Sequence, residues 1–182
     1  MKRIAITTGI LLLLATTARA DTLAGVTMPK IIVLRGSAML LNGLGLREAT
    51  IFNVDVYVAG LYLKKYSKSA SEILDSKDLK YLRMKFVRKV DAGKMRDAWI
   101  KGVKKNGGGQ HLALVKKLNA YMRDMKKGDE MSFTFEEKGV GVKVKGTSGF
   151  IAGAGFARAL LAVFIGKHPP NKGLKRGLLG KR

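Results

Sequence analysis

Apolar and polar residues alternate along several stretches of the chain, and apolar residues recur every three or four positions along others. Alternation marks a strand, whose side chains point to opposite faces in turn, and the longer period marks a helix with one buried side. Residues 52–63 are the longest run of the first kind. Phe52, Val54, Val56, Val58 and Tyr62 fall on one face, and Asn53, Asp55, Tyr57, Ala59 and Leu61 on the other. The first face reads as core, and the mixed second face as one partly covered by another layer. Before this run, residues 31–34 and 37–41 read as short strands that stop at Gly36 and at Asn42-Gly43. Asn42-Gly43-Leu44-Gly45 therefore reads as a glycine-punctuated turn that delivers Arg47 just ahead of the long strand.

Residues 81–90 alternate apolar with basic, as a half-exposed strand does, and 131–137 with 139–146 read as a hairpin. Ser69, three residues before Glu72, is a capping-box start for a short helix. A helix over 92–105 places Met95, Ala98, Trp99 and Val103 along one face, until Gly107, Gly108 and Gly109 break it. A second helix is predicted over 111–127, with Leu112, Val115, Leu118 and Met122 as its stripe. A strongly apolar one follows over 155–165, stopped by Pro169-Pro170. Strands, then two helices, a hairpin and a buried helix predict an α+β domain, an antiparallel sheet covered on one face by helices. Between such layers lies a slot where a ligand can sit.

The first twenty residues stand apart. Lys2 and Arg3 precede a short apolar core with four consecutive leucines, and Ala18-Arg19-Ala20 is a small-x-small cleavage site. This is the pattern of a secretory signal peptide cut after Ala20, so residues 1–20 are expected to be leader and 21–182 one domain. The expected location is the periplasm of a Gram-negative bacterium. No later stretch reaches the ~18 apolar residues of a membrane-spanning helix. There is no cysteine, hence no disulfide, lipid-anchored cysteine or thiol chemistry. Lys2, Arg3 and Arg19 lie within the leader; past it, 32 basic and 13 acidic residues leave a net charge of +19. Such a surface suits an anionic envelope surface or an anionic ligand steered by the field, and export argues against nucleic acid as the partner.

Catalytic signatures are missing. His111 and His168 have no cysteine or carboxylate at ligand spacing, so no metal is expected, and no cofactor motif is present. No nucleophile elbow or Ser/His/Asp arrangement can be argued, and the glycines at 43 and 45 precede a strand where a phosphate cradle needs a helix. On the residues alone, whether the protein is an enzyme stays open.

Two separated segments carry a resemblance. Asn42-Gly-Leu-Gly-Leu-Arg47 followed by Val56-Tyr-Val-Ala-Gly-Leu-Tyr-Leu63, and the later run from Phe156 through Ile165-Gly-Lys-His-Pro-Pro to Gly180, resemble the bacterial chalcone-isomerase-like family, over about residues 28–180. The resemblance implies an open-faced β-sandwich, a large antiparallel sheet with helices on one face and a ligand cleft between. Chalcone isomerase itself uses an arginine at the position of Arg47, a threonine on the next strand where this chain has Tyr57, and a threonine where it has Val163. Its helical tyrosine and asparagine fall near Met95 and Gly102. Four of five positions differ, which argues against chalcone cyclisation. Another branch of the superfamily binds fatty acids without catalysis, an arginine and a tyrosine holding the carboxylate, and Arg47 with Tyr57 resembles that pair. A guanidinium grips a carboxylate through two parallel hydrogen bonds and a phenol adds a third donor.

On one straight strand the two residues would lie ~33 Å apart, so a shared site requires a turn or pronounced bulge near residues 50–53, or an Arg47 that reaches the site from a neighbouring loop. Trp99 on its helix, and Phe156, Leu160, Val163 and Phe164 on the last, read either as plain core or as cleft wall. Three functions follow. The first is a non-catalytic exported protein that binds a small amphipathic carboxylate such as a fatty acid on Arg47 and Tyr57. The second is an isomerase or lyase in which Arg47 stabilises an enolate or phenolate. The third is a basic, envelope-associated partner-binding protein.

Overall fold

A computed structural model describes residues 19–49 and 54–181 of the chain. Short connections between alternating runs favour antiparallel neighbours, and the strands pair in chain order. β3 (Ile31–Leu34), β4 (Ser37–Ala49), β5 (Val54–Leu63), β6 (Lys80–Phe86), β7 (Glu130–Glu136), β8 (Gly139–Val144) and β9 (Thr147–Ala152) form one seven-stranded antiparallel sheet. β1 (Ala20–Leu23) and β2 (Val26–Pro29) form a separate two-stranded ribbon. α1 (Ala70–Asp75) lies between β5 and β6, α2 (Ala92–Lys105) and α3 (Leu112–Asn119) between β6 and β7, and α4 (Phe156–Ile165) and α5 (Lys172–Leu178) follow β9. Ser69 caps α1 as its spacing from Glu72 predicts, its hydroxyl accepting from the Glu72 N–H at 3.3 Å.

From Tyr57 to Leu63 both faces of β5 are buried, and the weights differ from the sequence expectation. Tyr57, Ala59, Leu61 and Leu63, on the face read as mixed, join the larger core with Leu82, Phe133, Val142 and the helices. Val58 and Tyr62, on the face read as core, join a smaller cluster with Val26, Met28, Met39, Leu41 and Leu44 beneath the ribbon. A strand sandwiched by two layers has no solvent face to reveal which side carries the main core.

The segment from Asn42 to Gly45 is not a turn. β4 runs straight through it, with an irregularity between Leu41 and Gly43. The glycines answer to packing: a Cβ at Gly43 or Gly45 would strike the carbonyl oxygen of Gly177 or Leu174, and one at Gly177 that of Leu44. α5 rests backbone to backbone on β4. Asn42 secures the same contact, its amide donating to Leu178 O at 2.8 Å and Ser67 O at 3.0 Å and its carbonyl accepting from Ser67 N at 2.9 Å.

The helix predicted over 111–127 ends at Asn119. Arg96 and Arg123 take the carbonyls of Asn119, Ala120 and Met122 that a longer helix would use, and a bridge between Val90 and Met125 draws the following residues out. The ribbon, β9 and α5 are elements the sequence reading did not predict.

Gly93, in the first turn of α2, offers a contrast to the glycines of β4. A Cβ there would touch nothing within 4 Å, and its φ is not positive. Gly93→Ala is expected to raise stability by ~0.5 to 1 kcal/mol, because alanine narrows the unfolded ensemble and favours helix. Thermal unfolding followed by circular dichroism would read this as a small rise in Tm.

Candidate functional site

Arg47 sits near the end of β4 and Tyr57 near the start of β5, and the ladder pairs them directly across from one another. β4 and β5 run antiparallel, residues 50–53 between them lying outside those described, so the two share a site edge where a straight strand would have separated them. Paired residues of an antiparallel ladder project from the same face. For Arg47 and Tyr57 this is the helix-covered face, since Tyr57 is part of the large core. Along β4 that face reads Gly43, Gly45, Arg47. α5 covers the two glycines, and Arg47 follows beside the N-terminal end of the helix, where the Asn171 amide donates to Leu46 O at 3.1 Å.

Tyr57 is 8% exposed and its ring lies 5.6 Å from that of Phe86, its partner on β6. Burial pushes its phenol well above the ordinary tyrosine range, while the charge of Arg47 pulls the other way. At physiological pH it is therefore a neutral hydrogen-bond donor. Arg47 is half-buried and makes no hydrogen bond or ion pair with any described residue. Glu48, its neighbour, instead accepts from the Asn171 amide at 3.3 Å. Asp55, opposite Glu48, is exposed.

The apolar candidates lie in the same core, close-packed. Trp99 meets Phe133 edge-on at 5.6 Å and Phe164 at 5.7 Å, and its indole N–H points at Met122 Sδ, 3.0 Å away. Phe156 lies 6.2 Å from the His111 ring, Leu160 is fully buried, and Val163 packs so tightly on α2 that a Cβ at Gly102 would come within 2.7 Å of it. These five side chains fill the space between sheet and helices. Two surface depressions among the described residues lie elsewhere. One, of about 290 Å³, is bounded by α1, α4 and the end of β7; the other, of about 240 Å³, by β4, α5 and Leu23. Sequence reasoning placed Met95 and Met122 on buried helix faces but missed the methionines as a group: five of the chain's eight, Met84, Met95, Met122, Met125 and Met131, are buried in the cluster that holds Tyr57. Their unbranched thioethers make that core adaptable. The signal was present in the composition, but the residues are far apart in the chain and only the fold gathers them.

A seven-stranded antiparallel sheet carrying its helices on one face is the architecture of the chalcone isomerase class. The chain belongs to the chalcone isomerase-like family, whose match spans residues 20–180. Among solved structures it is similar to a fatty-acid binding protein of Arabidopsis thaliana, with 17% sequence identity and a TM-score of 0.72 over 88% of this chain and 96% of the other. No curated protein matches it in sequence. No helix of the described residues is long and apolar enough to cross a membrane.

Proposed function

We propose that this is an exported, non-catalytic carrier of a small amphipathic carboxylate, a fatty acid being the simplest example. The observation that carries the reading is the Arg47–Tyr57 pair at the edge of the apolar layer. Arg47 supplies the charged fork for the carboxylate and Tyr57 a phenol that stays protonated. The tail runs inward among Trp99, Phe156, Leu160, Val163 and Phe164, and enters by displacing methionine side chains, which repack at low cost. The likeness in fold to a fatty-acid binding protein of Arabidopsis is consistent with such a ligand. Val163, where the resemblance matches a catalytic threonine, brings no hydroxyl, and Tyr57 stays protonated and offers no phenolate to act as a base, so binding is favoured over turnover. Export follows from the leader-like residues 1–20, with the periplasm as destination.

Titration calorimetry with a long-chain fatty acid tests the reading. Saturable binding is expected, and Tyr57→Phe, which keeps the ring against Phe86, should weaken it about tenfold through loss of one hydrogen bond to a charged acceptor. Wild-type affinity is expected to hold through pH 10, the ordinary tyrosine pKa, as far as this phenol is concerned, because its own proton is lost only above that range. Absence of saturable binding by acids of any chain length would overturn it.

A further inference from the structure

β3 is an edge strand, hydrogen-bonded to β4 on one side only. Its alternate side chains, Ile32 and Leu34, face the ribbon cluster, while Ile31 and Val33 stand out on the opposite face, 59% and 76% exposed. The described residues hold four exposed large apolar side chains, and a third, Tyr66, belongs to the same region. The ladder sets Ile31 beside Leu40 and Leu40 beside Leu63, from which Lys64, Lys65 and Tyr66 follow directly. The bond from Ser67 N to Asn42 Oδ1 then folds this segment back along β4, the strand next to β3. Lys64, Lys65 and Lys68 are all exposed; Lys64 has only a long contact to Asp78 at 3.9 Å, and Lys65 and Lys68 have no ion pair among the described residues.

We propose that this corner, Ile31 and Val33 with Tyr66 and the lysines at 64, 65 and 68, docks the protein on an anionic lipid bilayer. Charge complementarity selects the occupant. A second copy would bring one body of +19 against another, whereas an anionic leaflet attracts each lysine near its surface. The shape selects within anionic partners: two branched aliphatic side chains and a tyrosine stand on an open strand edge, and neither described depression lies there. A soft headgroup layer accepts such protruding side chains without a matching pocket, and a tyrosine suits its polar–apolar boundary.

Vesicle co-sedimentation tests the docking with the purified protein and lipid alone, so its outcome is independent of any carboxylate cargo. Wild type is expected to sediment with phosphatidylcholine vesicles containing phosphatidylglycerol and to stay in solution with phosphatidylcholine only. The double change Ile31→Ser and Val33→Ser should weaken binding at least tenfold, and Lys64→Gln with Lys65→Gln and Lys68→Gln by about fivefold per lysine. A charge-matched triple on α2, Lys101→Gln with Lys104→Gln and Lys105→Gln, should leave it within about twofold. Val33→Trp adds a reporter to a chain whose single tryptophan, Trp99, is buried, and the emission of the added indole should shift to the blue on the anionic vesicles. Equal losses from the two lysine triples, unchanged binding of the serine double, or an emission from bound Val33→Trp protein that stays water-like would each overturn the proposal. So would binding to acidic proteins but not to anionic vesicles.

Discussion

Gly45→Ala should destabilise the protein by ~5 kcal/mol, although it adds a single methyl group. The methyl has nowhere to go, since the position it would occupy collides with the carbonyl oxygen of Leu174 in α5 and lies within 3.0 Å of the same residue's side chain. Backbone cannot rotate aside as a side chain can, so α5 must lift. Lifting it draws Leu174, Leu178 and Leu179, all at most 2% exposed, out of the large core. At ~1.5 to 3 kcal/mol for each fully buried leucine, partial loss of the three reaches that figure. It also strips Asn42 of its bond to Leu178 O and leaves a buried amide short of a partner. Domains of this size have ~5 to 15 kcal/mol of stability in all, so a fall in Tm of ~10 to 20 °C is expected in a calorimetric scan. Gly177→Ala, whose methyl would strike Leu44 O from the other side, should behave alike. A Tm within a few degrees of wild type for both would mean that the helix is not seated on the strand as described.

The second large effect concerns binding. Arg47→Ala is expected to lower affinity for a carboxylate ligand about a hundredfold, ~3 kcal/mol, as truncating one member of a charged hydrogen-bonded pair does when the other remains in an apolar site. Arg47→Lys should recover only part of this, because an ammonium keeps the charge without the two-pronged geometry. Stability should change little in either variant, as the side chain is half-buried and has no ion pair among the described residues to lose. A structural arginine would give the opposite pattern, with Tm falling and ligand affinity unchanged. The two variants, measured by titration and by thermal scan, separate these cases.

Much of the fold was legible along the chain. Alternation found β5, β6, β7 and β8, a short apolar run ended by a glycine found β3, and the 3.6-residue period together with a capping serine found α1, α2 and α4. What failed did so for identifiable reasons. Asn42-Gly43-Leu44-Gly45 looked like a turn because two glycines in four residues usually are one, whereas here they admit a helix from the far end of the chain. α3 was overextended because the arginines that end it, Arg96 and Arg123, act through carbonyls that no periodicity records. Thr147–Ala152 and Lys172–Leu178 carry too few apolar residues to signal a strand or a helix, and both are held by neighbours. At the site, Arg47 and Tyr57 were legible as residue types, and their adjacency was not, since it depends on a reversal between them. The methionine wall was invisible for the same kind of reason.

The most direct measurement is native mass spectrometry of the protein purified from the cells that make it, followed by organic extraction. The carrier reading predicts a bound acid of defined mass on wild type, missing from Arg47→Ala of equal thermal stability. A protein that arrives empty and stays empty after incubation with fatty acids, or an acid retained equally by Arg47→Ala, would contradict it.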